Sequence, residues 1–266
     1  MLTTPLCDLF GIEVPIILAP MGTCTSAELA AAVSNEGGLG GVGSLFRTSA
    51  AVKRDIDTVR KLTSRPFAIN HIPQTLDTEA FRYTLEARPA VVSFALGDPG
   101  DLVRQAHDVG SLVMLQVTTV AQAVQAAERG VDVIIAQGGE AGGYCGEVST
   151  MTLVPQVVDA VSPIPVVASG GIFDGRGIAA ALMLGAVGGS LGTRIIASKE
   201  APGSEEWKQA ILFTPIRMIR SMSRFSTISV RSRAPLDSAR FCARCGRHFL
   251  MNGAANAKRH AATATA

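Results

Sequence analysis

The chain has 266 residues, 47% of them hydrophobic and 5% aromatic, enough for a full core in one large domain or two small ones, and better suited to helix-on-sheet layers than to an aromatic-rich sandwich. No apolar stretch reaches the roughly 18 to 20 residues that span a bilayer without glycine breaks. The start, MLTTPLCDLF, lacks a basic signal-peptide segment, and the five cysteines are an odd number, with Cys7, Cys24 and Cys145 far apart, so no membrane partner and a reducing, cytoplasmic setting are expected.

In chain order, strands are predicted at VPIILAP (14–20), GLGGVG (38–43), PFAIN (66–70), AVVSFA (90–95), LVMLQV (112–117), VDVIIAQ (131–137), IPVVAS (164–169) and GGSLGT (188–193). Between them, SAELAAAVSNE, SAAVKRDIDTVRKLT, DTEAFRYTLEA, GDLVRQAHDVG, TVAQAVQAAERG, TLVPQVVDAVS and DGRGIAAALMLG carry apolar residues at helical spacing. The strands are apolar nearly throughout, as in a parallel sheet buried on both faces. Strict alternation allows an open doubly wound sheet or a closed barrel, and the count of eight favours an α/β fold of the TIM (β/α)8 barrel type over residues 1–214.

After Thr214 the periodicity stops. Residues 215–266 hold nine Arg and one Lys against Asp237, so a tail of +9 leaves −7 for the rest of a chain whose total is +2. This segment reads as an atypical basic tail, divergent or poorly ordered. Its Cys242, Cys245 and His248 make half a zinc set at most, and its arginines lack the interleaved aromatics of a nucleic-acid surface. No metal and no nucleic acid are expected.

Functional residues are sought at strand C-termini, where barrel sites sit. Strand 7 ends in Ser169, Gly170 and Gly171, and strand 8 in Gly192 and Thr193. Glycines at both of these ends point to a phosphate-bearing ligand held by backbone N–H groups. Strand 1 ends with Met21 and Gly22, and strand 3 with Asn70, whose amide offers donors and an acceptor to a ring edge. Gly38–Gly43 forms a formal G-x-G-x-x-G. A helix precedes it, however, and no helix opens inside it, so it does not meet the dinucleotide fingerprint. Strand 6 ends at Gln137 and runs into QGGEAGGYCG, where Gly138, Gly139, Gly142 and Gly143 surround Glu140 and Tyr144 follows.

Taken in order, APMG, AIN, QGGEAGG, ASGGI and SLGTR resemble the nitronate monooxygenase (2-nitropropane dioxygenase) family and the neighbouring enoyl-ACP reductase II group. The resemblance covers about residues 5 to 213. It implies FMN at the C-terminal face of the barrel. The cofactor-binding residues it implies are Met21, Gly22, Asn70, Gln137, Gly142, Gly171, Ser190, Leu191, Gly192 and Thr193, with Ser190 standing where the family usually has Gln. It implies a small-molecule substrate, a nitronate or related anion, together with O2, or, as the alternative, NAD(P)H-dependent reduction of an enoyl thioester. Tyr144 occupies the place of the family's histidine base. A tyrosine, with an ordinary pKa near 10, is a poor base at neutral pH. A substrate that arrives already deprotonated needs none, so Tyr144 is expected to donate a hydrogen bond or to fill space. A flavin-binding relative with impaired catalysis is the third expectation. His71, beside Asn70, is a second catalytic candidate, the alternative being a histidine that stabilises its surroundings. Glu140 is expected to hold loop N–H groups.

Overall fold

The computed structural model describes residues 2–213. The basic tail, with Cys242, Cys245 and His248, lies outside the described residues. All eight predicted strands form: β1 (Ile16–Leu18), β2 (Gly40–Gly43), β3 (Phe67–His71), β4 (Val91–Phe94), β5 (Leu112–Val117), β6 (Val133–Gln137), β7 (Val166–Ser169) and β8 (Gly188–Leu191). Each neighbouring pair is parallel, in the order β1-β8-β7-β6-β5-β4-β3-β2. A parallel bridge between Ile17 and Leu39 joins β1 to the start of β2 and brings the sheet round on itself. The result is a TIM barrel.

The helices are α1 (Pro5–Phe10), α2 (Ala27–Asn35), α3 (Ser49–Leu62), α4 (Thr78–Ala87), α5 (Leu102–Asp108), α6 (Val120–Glu128), α7 (Thr150–Val161), α8 (Gly175–Met183), α9 (Thr193–Ile196) and α10 (Glu205–Phe213). The seven predicted helices correspond to α2–α8. Most of these start on a side-chain cap: Ser26, Thr48, Asp77, Thr119 and Asp174 each accept from a backbone N–H of the first turn. The sequence reading missed α1. Its Leu6, Cys7 and Phe10 pack with Ile17, Met114, Val133 and Val167 and close the floor of the barrel. Six residues are too few for a helical period to register.

Gly38–Gly43 is a packing device. A Cβ on Gly40 would lie 1.9 Å from the Ala30 carbonyl oxygen, so glycine there lets α2 lie directly on β2. Among the described residues no helix is long and apolar enough to cross a membrane, and no group of three or more His, Cys, Asp or Glu is placed to hold a metal ion.

Candidate active site

Successive side chains of a strand point to opposite faces, so every second residue enters the barrel. The interior core includes Ala68, Val91, Met114, Ile135 and Val167. Two residues further along the same strands, on the same face, stand Asn70, Ser93, Gln116, Gln137 and Ser169, and Ser190 follows Gly188 in the same way on β8. An apolar layer thus gives way abruptly to a polar one at the C-terminal end. Asn70, Ser93, Gln137, Ser169 and Ser190 are all buried, and Gln116 is half-buried. On this face β2 contributes only Gly43, in register with Asn70 and packed beside Pro20 and Gly22 of the turn after β1.

Buried polar groups cost free energy unless partnered. Asn70 Nδ2 donates to Ser93 Oγ over 3.1 Å. Gln116 Nε2 donates to Gln137 Oε1 over 3.0 Å, and Gln137 Nε2 in turn lies 3.4 Å from the Gly142 carbonyl. These bonds fix which way the two carboxamides of the site face. Ser190 Oγ is buried and has no hydrogen-bond partner among the described residues. A native hydroxyl left in this state calls for a partner that the described residues do not supply, and Ser198 Oγ is in the same condition.

The loops above the ring are tied to one another. Glu140 Oε2 accepts from the Thr150 backbone N–H over 2.7 Å, a carboxylate on the N-terminus of α7, so it holds an N–H group as expected. Thr150 Oγ1 lies 2.9 Å from Glu140 Oε2 and 3.0 Å from the Gly170 carbonyl, and Gly138 N–H donates to the Ser169 carbonyl over 2.9 Å. A Cβ on Gly138 would come within 2.1 Å of Thr150 Oγ1 and 2.4 Å of Thr150 N. Gly138→Ala is therefore expected to displace the start of α7 and to destabilise the fold by about 2 kcal/mol; urea unfolding of the two proteins checks it, and equal midpoints would show that the junction yields freely.

On the opposite side, the guanidinium of Arg47 bonds the carbonyls of Gly43 and Thr25 and pairs with Asp55 at 2.9 Å. This pins the loops after β1 and β2. Burial lowers the Arg47 pKa and raises that of Asp55 despite their attraction.

The predicted residues fall as follows. Met21 and Gly22 form the turn after β1, and a Cβ on Gly192 would lie 3.0 Å from Met21 Sδ, so the turns after β1 and β8 abut. Gly171 follows β7 with φ +71° and faces Glu140. The Leu191 carbonyl accepts from Ala19 N–H at 2.9 Å, and Thr193 opens α9. Tyr144 is half-buried on the loop that Gln137 reaches through Gly142, and burial pushes its hydroxyl pKa above the usual 10.

His71 does not join this group. It is the neighbour of Asn70 on the strand and so points the other way, into the layer between β3 and α4. There Nε2 lies 2.8 Å from Thr84 Oγ1, and the Phe81 ring packs edge-on at 5.2 Å. Only 1% exposed, it is a core histidine, and its catalytic assignment is withdrawn on geometry. Ser93 and Gln116 were missed. The available signal was a single polar residue, one place before the end, in each of the apolar runs VVSF and LVMLQV.

Comparison with known proteins places this geometry among relatives. The nitronate monooxygenase family pattern matches residues 3–84 and 75–235, and so continues past residue 214, where the resemblance was expected to stop. A 5-hydroxy-7a-methyl-1-oxo-octahydro-1H-indene-4-carboxyl-CoA dehydrogenase of Mycobacterium tuberculosis is 37% identical over 214 residues, covering 79% of this chain and 60% of that protein. A probable nitronate monooxygenase of Staphylococcus haemolyticus is 34% identical over 250 residues, covering 76% of this chain and 70% of its own length. The solved structure of FabK from Thermotoga maritima superposes with a TM-score of 0.78 at 37% identity, covering 82% of this chain and 70% of that one. The chain thus spans about 60% of the length of the carboxyl-CoA dehydrogenase it matches. With the family pattern extending over most of its residues, the chain belongs to the nitronate monooxygenase family.

Proposed function

We propose that the chain is an FMN-dependent oxidoreductase that oxidises alkyl nitronates with O2. The observation that carries this reading is the buried polar ring above an apolar barrel core, with Ser190 Oγ lacking a partner among the described residues. The fold family's flavin fits these residues: a flat heteroaromatic ring with donors and acceptors on its edge matches a circle of carboxamides and hydroxyls. Asn70, Gln137 and Ser190 would hold the ring edge, with Met21 and Gly22 alongside. The backbone at Gly171 and at Gly192–Thr193 would hold the phosphate, in the place where barrels commonly bind one. The cofactor, when bound, supplies the two-electron chemistry and the reaction with O2.

The chain's own residues orient and recognise. Ser93 and Gln116 lock the carboxamides of Asn70 and Gln137, so neither has to reorganise when a ligand enters. Gln137 also tethers the loop that carries Tyr144. With its pKa raised by burial, Tyr144 keeps its proton at neutral pH and donates a hydrogen bond to an anionic substrate. It does not remove a C–H proton. The test is anaerobic: the purified chain is expected to retain or take up FMN and to be bleached by an alkyl nitronate. A folded protein that binds no FMN would overturn the reading.

A second reading is favoured by the 37% identity to a carboxyl-CoA dehydrogenase, against 34% to a probable nitronate monooxygenase. On that reading the same ring serves redox chemistry on an acyl thioester, as in NAD(P)H-dependent reduction of an enoyl thioester.

A further inference from the structure

The segment that carries Met21 and Gly22 past the end of β1 is a single 3-10 turn, Gly22–Cys24, too short to hold its own place. One side chain braces it. Arg47 lies on the loop between β2 and α3, and each of its three guanidinium nitrogens serves a different element. Nε pairs with Asp55 of α3 at 2.9 Å. One terminal nitrogen donates to the Gly43 carbonyl at the end of β2, and the other donates to the Thr25 carbonyl where the 3-10 turn ends. The Arg47 side chain is only 12% exposed, so these bonds are shielded from water and weigh more than a surface pair.

The bonds close a circuit that includes the polar ring. Thr25 N–H and Oγ1 both donate to the Gly22 carbonyl, over 3.4 and 3.1 Å. Gly22 packs on Gly43, where a Cβ would lie 3.6 Å from Gly22 N. Gly43 stands in register with Asn70, and Ser44 N–H donates to the Asn70 carbonyl over 2.9 Å. Met21, one residue before Gly22, abuts Gly192. Arg47 thus ties together a wall that runs from Asn70 through Gly43 and Gly22 to the end of β8. The residue before it shows that the tie works against a local preference. Phe46 has φ +64°, a left-handed conformation that is rare for a bulky side chain and that persists only where the surroundings over-determine it. Its ring lies on the same wall: a Cβ on Gly22 would be 3.8 Å from Phe46 Cδ2.

We propose that Arg47 is a positioning residue of the cofactor site, which acts through Gly43 and Thr25 to fix the wall against which the flavin ring lies. The assignment rests on the FMN reading above. Lysine is a poor substitute at this position. An ammonium is a point donor on a flexible stem and does not meet acceptors in three directions as the planar guanidinium does. A wall displaced by about 1 Å holds a rigid ring less well.

The test compares the full-length protein with Arg47→Met, which removes all three donors, with Arg47→Lys, and with Arg60→Met. Arg60 makes the same kind of bond at the other end of the barrel, to the Ala87 carbonyl where α4 ends, and controls for a tie lost far from the site. Each protein, freed of FMN, is titrated with it under conditions where far-ultraviolet circular dichroism shows the chain folded. Quenching of flavin fluorescence gives the affinity, and visible circular dichroism of the bound FMN reports how the ring sits. Arg47→Met is expected to bind FMN at least about tenfold more weakly and with an altered visible spectrum. Arg47→Lys is expected to lose about threefold. Arg60→Met is expected to stay within about twofold, with the spectrum unchanged. A folded Arg47→Met protein with undiminished affinity and an unchanged spectrum would overturn the assignment, and so would an Arg60→Met protein that loses as much. If Arg47→Met does not fold, Arg47→Lys decides, and undiminished FMN binding there would overturn it. A folded, unaltered chain that binds no FMN would remove the FMN reading and this role of Arg47 with it, whereas the other adverse results leave that reading standing.

Discussion

Mixed anaerobically with the FMN-loaded protein, an alkyl nitronate is expected to bleach the flavin at least about a hundredfold faster than the neutral nitroalkane of the same carbon skeleton. The two substrates differ by one proton on carbon. A positioned general base contributes about 10²–10⁴ to such a transfer, and its pKa should lie near the working pH. Tyr144 is half-buried, and burial moves its pKa away from neutrality. The one histidine predicted near the ring, His71, faces the helix layer instead. Glu140 is engaged at the start of α7. The nitronate avoids this deficit because its proton has already gone. Tyr144→His should therefore raise the nitroalkane rate by about ten- to a hundredfold and leave the nitronate rate within a few-fold. Tyr144→Phe removes the hydroxyl donor and should slow the nitronate reaction by about tenfold. Stopped-flow absorbance of the flavin reads all of these. Equal rates for nitronate and nitroalkane in the unaltered protein would dispose of this account of Tyr144.

The barrel was legible because burial on both faces writes itself into a parallel strand as an unbroken apolar run, and eight such runs alternated with helical periods. The part of the ring that ends a strand was legible for the same reason: Asn70 and Gln137 interrupt apolar runs where the chain turns. Ser93 and Gln116 were not, because each sits one place inside its run, where a lone polar residue reads as noise. Only the barrel's curvature shows that they share a face with Asn70 and Gln137 and bond to them. His71 failed in the opposite sense. Adjacency in sequence suggested adjacency in the site, but one step along a strand reverses the side chain. α1 was hidden by its length, and its role as a floor depends on contacts with strands more than a hundred residues away.

The placement of His71 has a consequence for stability. Thr84 Oγ1 donates to the Ala80 carbonyl over 3.1 Å, so the 2.8 Å contact with His71 is an Nε2–H donation, and Nδ1 is the nitrogen left to protonate. Adding that proton would place a charge among Phe81 and Phe94. Burial accordingly lowers the His71 pKa from 6.5 to about 4, with Asp77 opposing the shift. The unfolded chain binds this proton near pH 6.5, and the folded chain only near pH 4. Stability from this residue is thus complete above about pH 6.5 and is lost as the pH falls towards 4. At about 1.4 kcal/mol per pH unit, the loss should reach about 2 to 3 kcal/mol by pH 4.5. Carboxylates titrate in the lower part of the same range, so the measurement is a difference. His71→Gln keeps a hydrogen-bonding group for Thr84 and has no titratable proton. Urea unfolding of both proteins between pH 7.5 and 4.5 should show the unaltered protein more stable at pH 7.5, with the gap narrowing by about 2 to 3 kcal/mol on acidification. A gap that stays constant across that range would mean that His71 takes up its proton in the folded core as readily as in water.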